Sequence, residues 1–383
     1  MNVITEIAAA VIGKSNREHP ADAVLRLELK RATGISREQG RAISRAVFAY
    51  YRWLGWLEEG APMEERISHA LKLDDEFRRN PIALADAELR RAVPAWISEQ
   101  LEVSAEWLRA LQQEPKLWLR SKMGQGRELA LKLGSTRGGE HGLPDAMQYG
   151  GTADLFRTAE FHAGEFELQD LSSQITGILC DPQPGETWWD ACAGEGGKTL
   201  HLGDLMHGKG LIWASDRAEW RLKKLKQRAA RARMFNYRAV LWDGGAKLPT
   251  KTKFDGILAD APCSGTGTWQ RNPQARWTTT SQDVAELGAL QKRLLANAVP
   301  ALKPGGRLVY SVCTLTRAET VEVQEEITQR FAGLEPMLLR NPLQPDQLPA
   351  KSAWLWPQAA GGNGMFICAW RSAKAGSGTD QSA

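Results

Sequence analysis

Three patterns in the sequence predict an α/β chain, with a doubly wound, largely parallel sheet preceded by an all-helical region and a small α+β connector. From Phe161 onward, apolar strand-like runs alternate with helical periodicity, the signature of a parallel sheet flanked by helices. Three successive runs close on an acid, Asp190, Asp216 and Asp243. Two later runs, Phe254–Ala259 and Arg307–Val312, break into segments that carry thiols, Asp260-Ala261-Pro262-Cys263-Ser264-Gly265-Thr266-Gly267 and Cys313-Thr314. In open α/β sheets, ligands bind just outside such carboxyl ends.

The first element is the helical region, residues 1–113. Gly34 is placed to end one helix, and Ser36-Arg37-Glu38-Gln39 is a capping box that opens the next. That helix sets Ile43, Val47, Tyr50, Leu54 and Leu57 on one face at spacings of three and four. Further helices fit Ile82–Ala92, with Pro81 just ahead, and Ser104–Gln112. The arginines of this region, among them Arg31, Arg41, Arg45 and Arg52, face either RNA or solvent.

Composition changes at Glu114-Pro115. Residues 114–160 show short apolar pieces between Gly-rich turns such as Arg137-Gly138-Gly139, the pattern of a small α+β connector, with a basic cast from Arg120, Lys122, Arg127 and Lys132. Residues 161–372 form the sheet domain. Its strands are expected at Glu186–Asp190, Leu211–Asp216, Ala239–Asp243, Phe254–Ala259, Arg307–Val312 and Met365–Trp370, with helices at Lys198–Met206 and Ala218–Arg233. Residues 373–383 are polar and Gly/Ser-rich and read as a disordered tail.

A chain of 383 residues is too long for one compact core. The net charge of +4 is mild and does not by itself argue for nucleic acid. Five cysteines without a CxxC pair speak against a zinc cluster and a disulfide framework. Reduced thiols and a cytoplasmic location are therefore expected. The first residues carry Glu6 inside a short apolar run and lack a basic leader. No apolar stretch approaches the ~20 residues that span a bilayer.

The loop Asp190-Ala191-Cys192-Ala193-Gly194-Glu195-Gly196-Gly197-Lys198-Thr199 joins the first strand to its helix. Glycines let backbone come close to a ligand, although such a loop is also a common tight turn. Its Gly-Lys-Thr does not make a phosphate-binding P-loop, because Cys192 stands where that template needs glycine. Asp216 is placed to accept ribose hydroxyls and Asp243 an adenine amino group, so an adenosine-type ligand fits this edge. Each acid also suits a plain helix N-cap.

Neighbouring fourth and fifth strands would open Cys263 and Cys313 into one cleft. There a thiolate is either a nucleophile or, as is accepted for Cys180 and Cys368, a small buried hydrophobe. Between the thiols, Trp269-Gln270-Arg271-Asn272-Pro273-Gln274-Ala275-Arg276-Trp277 interleaves aromatics with guanidinium groups. That pattern suits unpaired RNA bases, with Arg271, Arg276 and Trp277 as the candidate contacts. The helix bearing Arg221, Lys223, Lys224, Lys226, Arg228, Arg231 and Arg233 is either an electrostatic footprint or a solvated face.

These segments, together with Gln169-Asp170-Leu171-Ser172-Ser173-Gln174 and Tyr310-Ser311-Val312-Cys313-Thr314, make residues 161–370 resemble the Sun/nucleolar family of RNA cytosine-5 methyltransferases. The N-terminal helices, with Ala21-Asp22-Ala23-Val24-Leu25-Arg26, look more loosely like the NusB-type RNA-binding domain of the members that act on 16S ribosomal RNA. The resemblance implies a Rossmann-like class I methyltransferase domain that uses S-adenosylmethionine. The cofactor would be held by Cys192, Ala193, Gly194, Glu195, Gly196, Gly197, Lys198, Asp216, Arg221, Asp243 and Asp260.

It further implies Cys313 as the nucleophile at carbon-6 of a cytosine, Cys263 as the group that assists proton loss and release, Asp260 as the contact to the ring, and Lys198 as an active-site contact. The implied partner is RNA, ribosomal or transfer, engaged by a monomer without metal or membrane. A non-catalytic assembly factor is the competing reading. Two positions depart from the family pattern: Glu195 replaces the usual proline, and Asn363-Gly364-Met365-Phe366 replaces Asp-Gly-Phe-Phe.

Overall fold

The computed structural model describes residues 3–134, 136–139 and 142–374, so the predicted tail, Ala373 and Lys374 apart, lies outside the described residues. The chain forms two compact units: Met1–Pro115 with Gly265–Asp283, and Lys116–Ser264 with Val284–Ala383.

The first unit is helical, with helices Val3–Lys14, Ala21–Arg31, Arg37–Arg52, Met63–Arg79 and Ala105–Gln112. The capping box forms as the sequence predicts. Ser36 Oγ accepts from the Gln39 N–H at 3.1 Å, and Gln39 Oε1 accepts from the Ser36 N–H at 2.8 Å. Ile43, Val47 and Tyr50 are buried on the predicted stripe, whereas Leu54 and Leu57 follow the helix on and beyond a 3₁₀ turn, Leu54–Trp56. The predicted helix Ile82–Ala92 is shorter, Asp86–Leu89 continued by a 3₁₀ turn at Arg90–Ala92. Ile82 is 79% exposed, so the missing first turns had no apolar partner to hold them. Arg52 is buried against Asp74 at 2.9 Å, and Arg45 reaches Asp74 at 3.1 Å and Asp75 at 2.5 Å.

The segment Gly265–Asp283 groups with this unit rather than with the sheet. It is anchored by the residues read as RNA contacts. Arg276 is wholly buried, and its guanidinium donates to the carbonyls of Trp269, Ala92 and Leu111 and to Gln112 Oε1. The Trp277 ring packs on the helical core and its Nε1 donates to the Tyr51 carbonyl at 2.7 Å. Trp269 stacks on Trp107 with ring centroids 6.2 Å apart. Arg276 is thus corrected from an RNA contact to an internal anchor, whereas Trp277 and Arg271 sit half-buried on the same segment. Aromatics interleaved with arginine also describe a segment that pins itself into a core, with guanidinium donors for buried carbonyls.

The second unit holds two sheets. Strands β1 (Leu117–Ser121), β2 (Thr136–Gly138), β3 (Ala146–Tyr149) and β4 (Phe166–Leu168) pair antiparallel in the order β2-β3-β1-β4. The larger sheet contains β5 (Thr187–Asp190), β6 (Leu211–Asp216), β7 (Tyr237–Leu241), β8 (Phe254–Asp260), β9 (Leu302–Val312), β10 (Leu334–Pro336), β11 (Ser352–Leu355) and β12 (Met365–Ser372). Its order is β10-β12-β9-β8-β5-β6-β7, with β11 also pairing β12. The strands from β9 through β7 are parallel, and β12 runs antiparallel to β9. This is a Rossmann-like, doubly wound sheet with an antiparallel strand added beside β9.

The strand order reverses between β5 and β8, and there the sheet can bind a ligand. Gly256 of β8 allows the close packing at this point, because a Cβ would stand 2.3 Å from the Trp188 ring. The predicted third strand is displaced: β7 ends at Leu241, and Trp242 turns into the core against Trp189, with ring centroids 4.8 Å apart. Cys180 and Cys368 are fully buried among apolar neighbours, as the sequence suggests.

Replacing Arg276 with alanine leaves several buried carbonyls without donors. We expect a loss on the order of 3 kcal/mol and a lowered melting temperature. A thermal melt unchanged from wild type would contradict the internal anchor.

Candidate functional site

The loop after β5 is shaped by hydrogen bonds that its own sequence supplies. Asp190 is fully buried, and its Oδ2 accepts from Thr199 Oγ1 at 2.6 Å, tying the strand end to the helix Gly197–Leu205. Gly194 and Gly196 take φ values of +55° and +88°, a region that disfavours other residues. A Cβ at Gly196 would also meet Leu225 at 2.6 Å. The N–H of Gly194 donates to Asp216 Oδ2 at 3.0 Å, and the N–H of Ala218 to Asp216 Oδ1 at 2.8 Å. Asp216 therefore fixes the loop and caps its own turn. Asp243 is exposed beyond β7, and its Oδ1 accepts from the Gly245 N–H at 2.8 Å.

A cavity of about 470 Å³ opens over these strand ends. Cys192, Ala193, Gly194, Glu195, Gly197, Lys198, Asp216, Arg221, Asp243 and Asp260 line it together with Cys263 and Cys313. Of the residues expected around a cofactor, Gly196 alone is absent from the lining, and its Cα faces Leu225 and Leu200 instead. Burial pushes the Cys192 thiol well above its ordinary range, so it lines the cavity as a neutral group.

The parallel pairing of β8 and β9 sets Asp260 opposite Ser311. Just beyond, the two thiols meet, with Cys263 Sγ 3.3 Å from Cys313 Sγ. Both oxygens of Asp260 are engaged: Oδ2 by Lys198 Nζ at 2.7 Å and Oδ1 by Ser311 Oγ at 2.8 Å. Lys198 also reaches Ser173 Oγ at 3.3 Å. Burial pulls the Lys198 ammonium down, but the adjacent Asp260 charge outweighs it and the net shift is upward. Lys198 is thus a fixed cation and Asp260 a fixed, oriented acceptor.

Sequence reasoning missed Ser173, Gln169 and Trp242, which also line the cavity. Ser173 and Gln169 lie inside the segment singled out for its resemblance, so the signal was present without a role attached. Gln169 Nε2 donates to the Gly197 carbonyl at 3.3 Å.

The basic helix Glu219–Ala232 pairs most of its cations with acids of the chain, some buried and some exposed. Arg228 and Arg231 both pair with buried Glu167, Lys224 with Glu195 at 2.9 Å, and Lys223 with Glu219 at 3.4 Å. Glu195 therefore enters the loop as half of a half-exposed ion pair. At Asn363 the backbone makes the contacts, its N–H donating to Asp170 Oδ1 at 3.0 Å and its carbonyl accepting from Ser172 Oγ at 2.6 Å. Among the described residues no helix is long and apolar enough to cross a membrane, and no group of three or more His, Cys, Asp or Glu could hold a metal ion.

The family described as 16S rRNA methyltransferase RsmB/F matches residues 177–371. A protein of Synechocystis sp. named probable ribosomal RNA small subunit methyltransferase B is 37% identical over 62% of this chain and 56% of its own length. One of the same name from Bacillus subtilis is 35% identical over 55% and 48%. The ribosomal RNA small subunit methyltransferase B of Serratia proteamaculans is 30% identical over 85% and 73%. The chain thus spans about half the length of the first two relatives. Among solved structures, the one described as PH0851 superposes with a TM-score of 0.78 at 22% identity, covering 96% of this chain and 98% of that one. NSun6 from Pyrococcus horikoshii, solved with SFG, gives 0.62 at 19% identity over 70% and 94%. At these identities the structural likeness is one of fold.

Burial holds the Asp190 carboxyl up at about 7, against an ordinary value of 3.8. Because the folded-state value is the raised one, its contribution to stability is fully present below pH ~4 and is lost as pH rises through 7. Relative to Asp190→Asn, the wild-type protein is expected to lose on the order of 1 kcal/mol between pH 6 and 8 in urea denaturation. Parallel pH dependences of the two proteins would contradict this assignment.

Proposed function

We propose, from the premise that the chain belongs to the 16S rRNA methyltransferase RsmB/F family, that it transfers a methyl group from S-adenosylmethionine to carbon-5 of a cytosine in 16S ribosomal RNA. The observation that carries this reading is the pair of thiols 3.3 Å apart in the lining of a cavity that also presents Asp260 and Lys198.

The donor set suits the cofactor. Asp190 Oδ1 is buried beside the cavity without a hydrogen-bond partner, and the cationic groups of S-adenosylmethionine complement such an acceptor. The Gly194–Lys198 loop would hold its polar tail, with Asp216 and Asp243 toward its ribose and adenine. When bound, the cofactor supplies an electrophilic methyl group.

The remaining chemistry belongs to the chain. Cys313, as thiolate, adds to carbon-6 of the cytosine, forming an S–C bond and making carbon-5 nucleophilic. Asp260 accepts from the exocyclic amine and from ring N3 once that nitrogen takes up a proton during addition, and Lys198, which holds Asp260 in place, sets a cation beside the negative charge that addition creates. After carbon-5 is methylated, Cys263 takes its proton. The electrons of that C–H bond restore the ring double bond and expel the Cys313 thiolate. The target base must leave its stack to reach the cavity. The helical unit would act as a NusB-like RNA-binding domain, and the protein would work as a cytoplasmic monomer.

Cys313→Ala is expected to lower methyl transfer by a factor on the order of a thousand or more. Cys263→Ala is expected to accumulate a covalent protein–RNA species that survives denaturing electrophoresis. Unchanged turnover in the Cys313 variant would overturn the assignment, and bisulfite sequencing of 16S RNA from cells with and without the gene would identify the cytosine.

A further inference from the structure

One buried carboxylate outside the cavity touches both thiol-bearing loops. Glu319 is fully buried at the end of the 3₁₀ turn Arg317–Glu319 and does not line the cavity. Its Oε1 accepts from the Ser264 N–H at 2.8 Å and from Gln291 Nε2 at 3.0 Å. Its Oε2 accepts from Ser264 Oγ at 2.5 Å, Thr314 Oγ1 at 3.0 Å and Thr316 Oγ1 at 2.7 Å. These five donors are neutral, and together they satisfy both oxygens of a buried carboxyl group.

The chain positions of the donors matter more than their number. Ser264 directly follows Cys263, and Thr314 directly follows Cys313. Gln291 extends the bracket to the residue before Cys263, donating to the Pro262 carbonyl at 2.8 Å. Glu319 is itself held from behind by the Tyr310 hydroxyl, which donates to its carbonyl at 2.7 Å. Ser264 Oγ and Thr314 Oγ1 lie 3.0 Å apart within the same cluster. The β8–β9 ladder sets the register up to Asp260 and Ser311 but ends there, before either thiol. Beyond it, the two loops meet at the thiols themselves and through the Glu319 cluster.

We infer that Glu319 is a positioning residue that sets the distance between the two thiols and so couples release of the product to its formation. The inference rests on the reading of Cys313 as nucleophile and Cys263 as the releasing group. Addition needs Cys313, Asp260 and the base but not Cys263, whereas release needs Cys263 to reach the carbon-5 proton of an adduct already held on Cys313. Loosening the shared acceptor therefore slows release more than addition. A merely structural role would lower both steps together with the fraction of folded protein.

The test is a single-turnover reaction with substrate RNA and S-adenosylmethionine, following covalent protein–RNA adduct and methylated product in wild type, C263A, E319A and E319Q. In E319A, adduct should form within about threefold of the wild-type rate and decay at least about tenfold more slowly. E319Q, which keeps the shape and offers an amide to hydroxyls able to turn and accept, should restore decay to within about threefold of wild type. Thr316→Val removes one donor without changing volume and should slow decay by about two- to threefold, which decides the matter if E319A does not fold. Wild-type decay in E319A, or in Thr316→Val where E319A is unfolded, would overturn the inference, as would equal losses of addition and release. Absence of adduct in C263A would instead overturn the two-thiol mechanism, and this inference with it.

Discussion

Parallel pairing of β8 with β9 places Asp260 beside Ser311, and each strand carries a thiol into the loop that follows, three residues on for Cys263 and two for Cys313. Neither loop alone makes a site. Only the right-handed α/β topology, which returns the chain from β8 to a neighbouring parallel strand, sets two thiols from distant stretches side by side. The same reversal of strand order opens the cavity between β5 and β8, so the loop after β5 and the thiols face one space.

Charges in that space are arranged rather than merely present. Lys198 neutralises Asp260 directly, and Ser311 occupies its other oxygen, so the carboxylate cannot rotate away from the base it would meet. Asp190, deeper and without a cation on its free oxygen, pays the desolvation penalty and is held partly protonated near neutrality. Asp216 has both oxygens committed to backbone N–H groups. Three acids at neighbouring strand ends thus differ in burial and in the partners that hold them.

The sheet was legible because parallel strands buried on both faces read as apolar runs, and their ends were marked by acids, glycines and thiols. Edges were less legible: β7 slid two residues because its register with β6 begins at Tyr237, and Trp242 found a core partner in Trp189. Arg276 was misread because arginine among tryptophans has the same composition on an RNA surface and in a core where carbonyls need donors. Nothing local distinguishes the two, since Leu111 and Gln112 lie far away in sequence. Glu319 was invisible for the same reason, because its donors come from three separate stretches of chain.

The most direct test of the two-thiol account is to trap the enzyme on RNA carrying 5-fluorocytosine. There the ring has no carbon-5 proton to lose after methylation, so release stalls. Tryptic digestion separates the thiols, since Cys263 falls within residues 254–271 and Cys313 within residues 308–317. The account predicts that mass spectrometry finds the methylated nucleotide on the peptide containing Cys313, and finding it on the peptide containing Cys263 would contradict it.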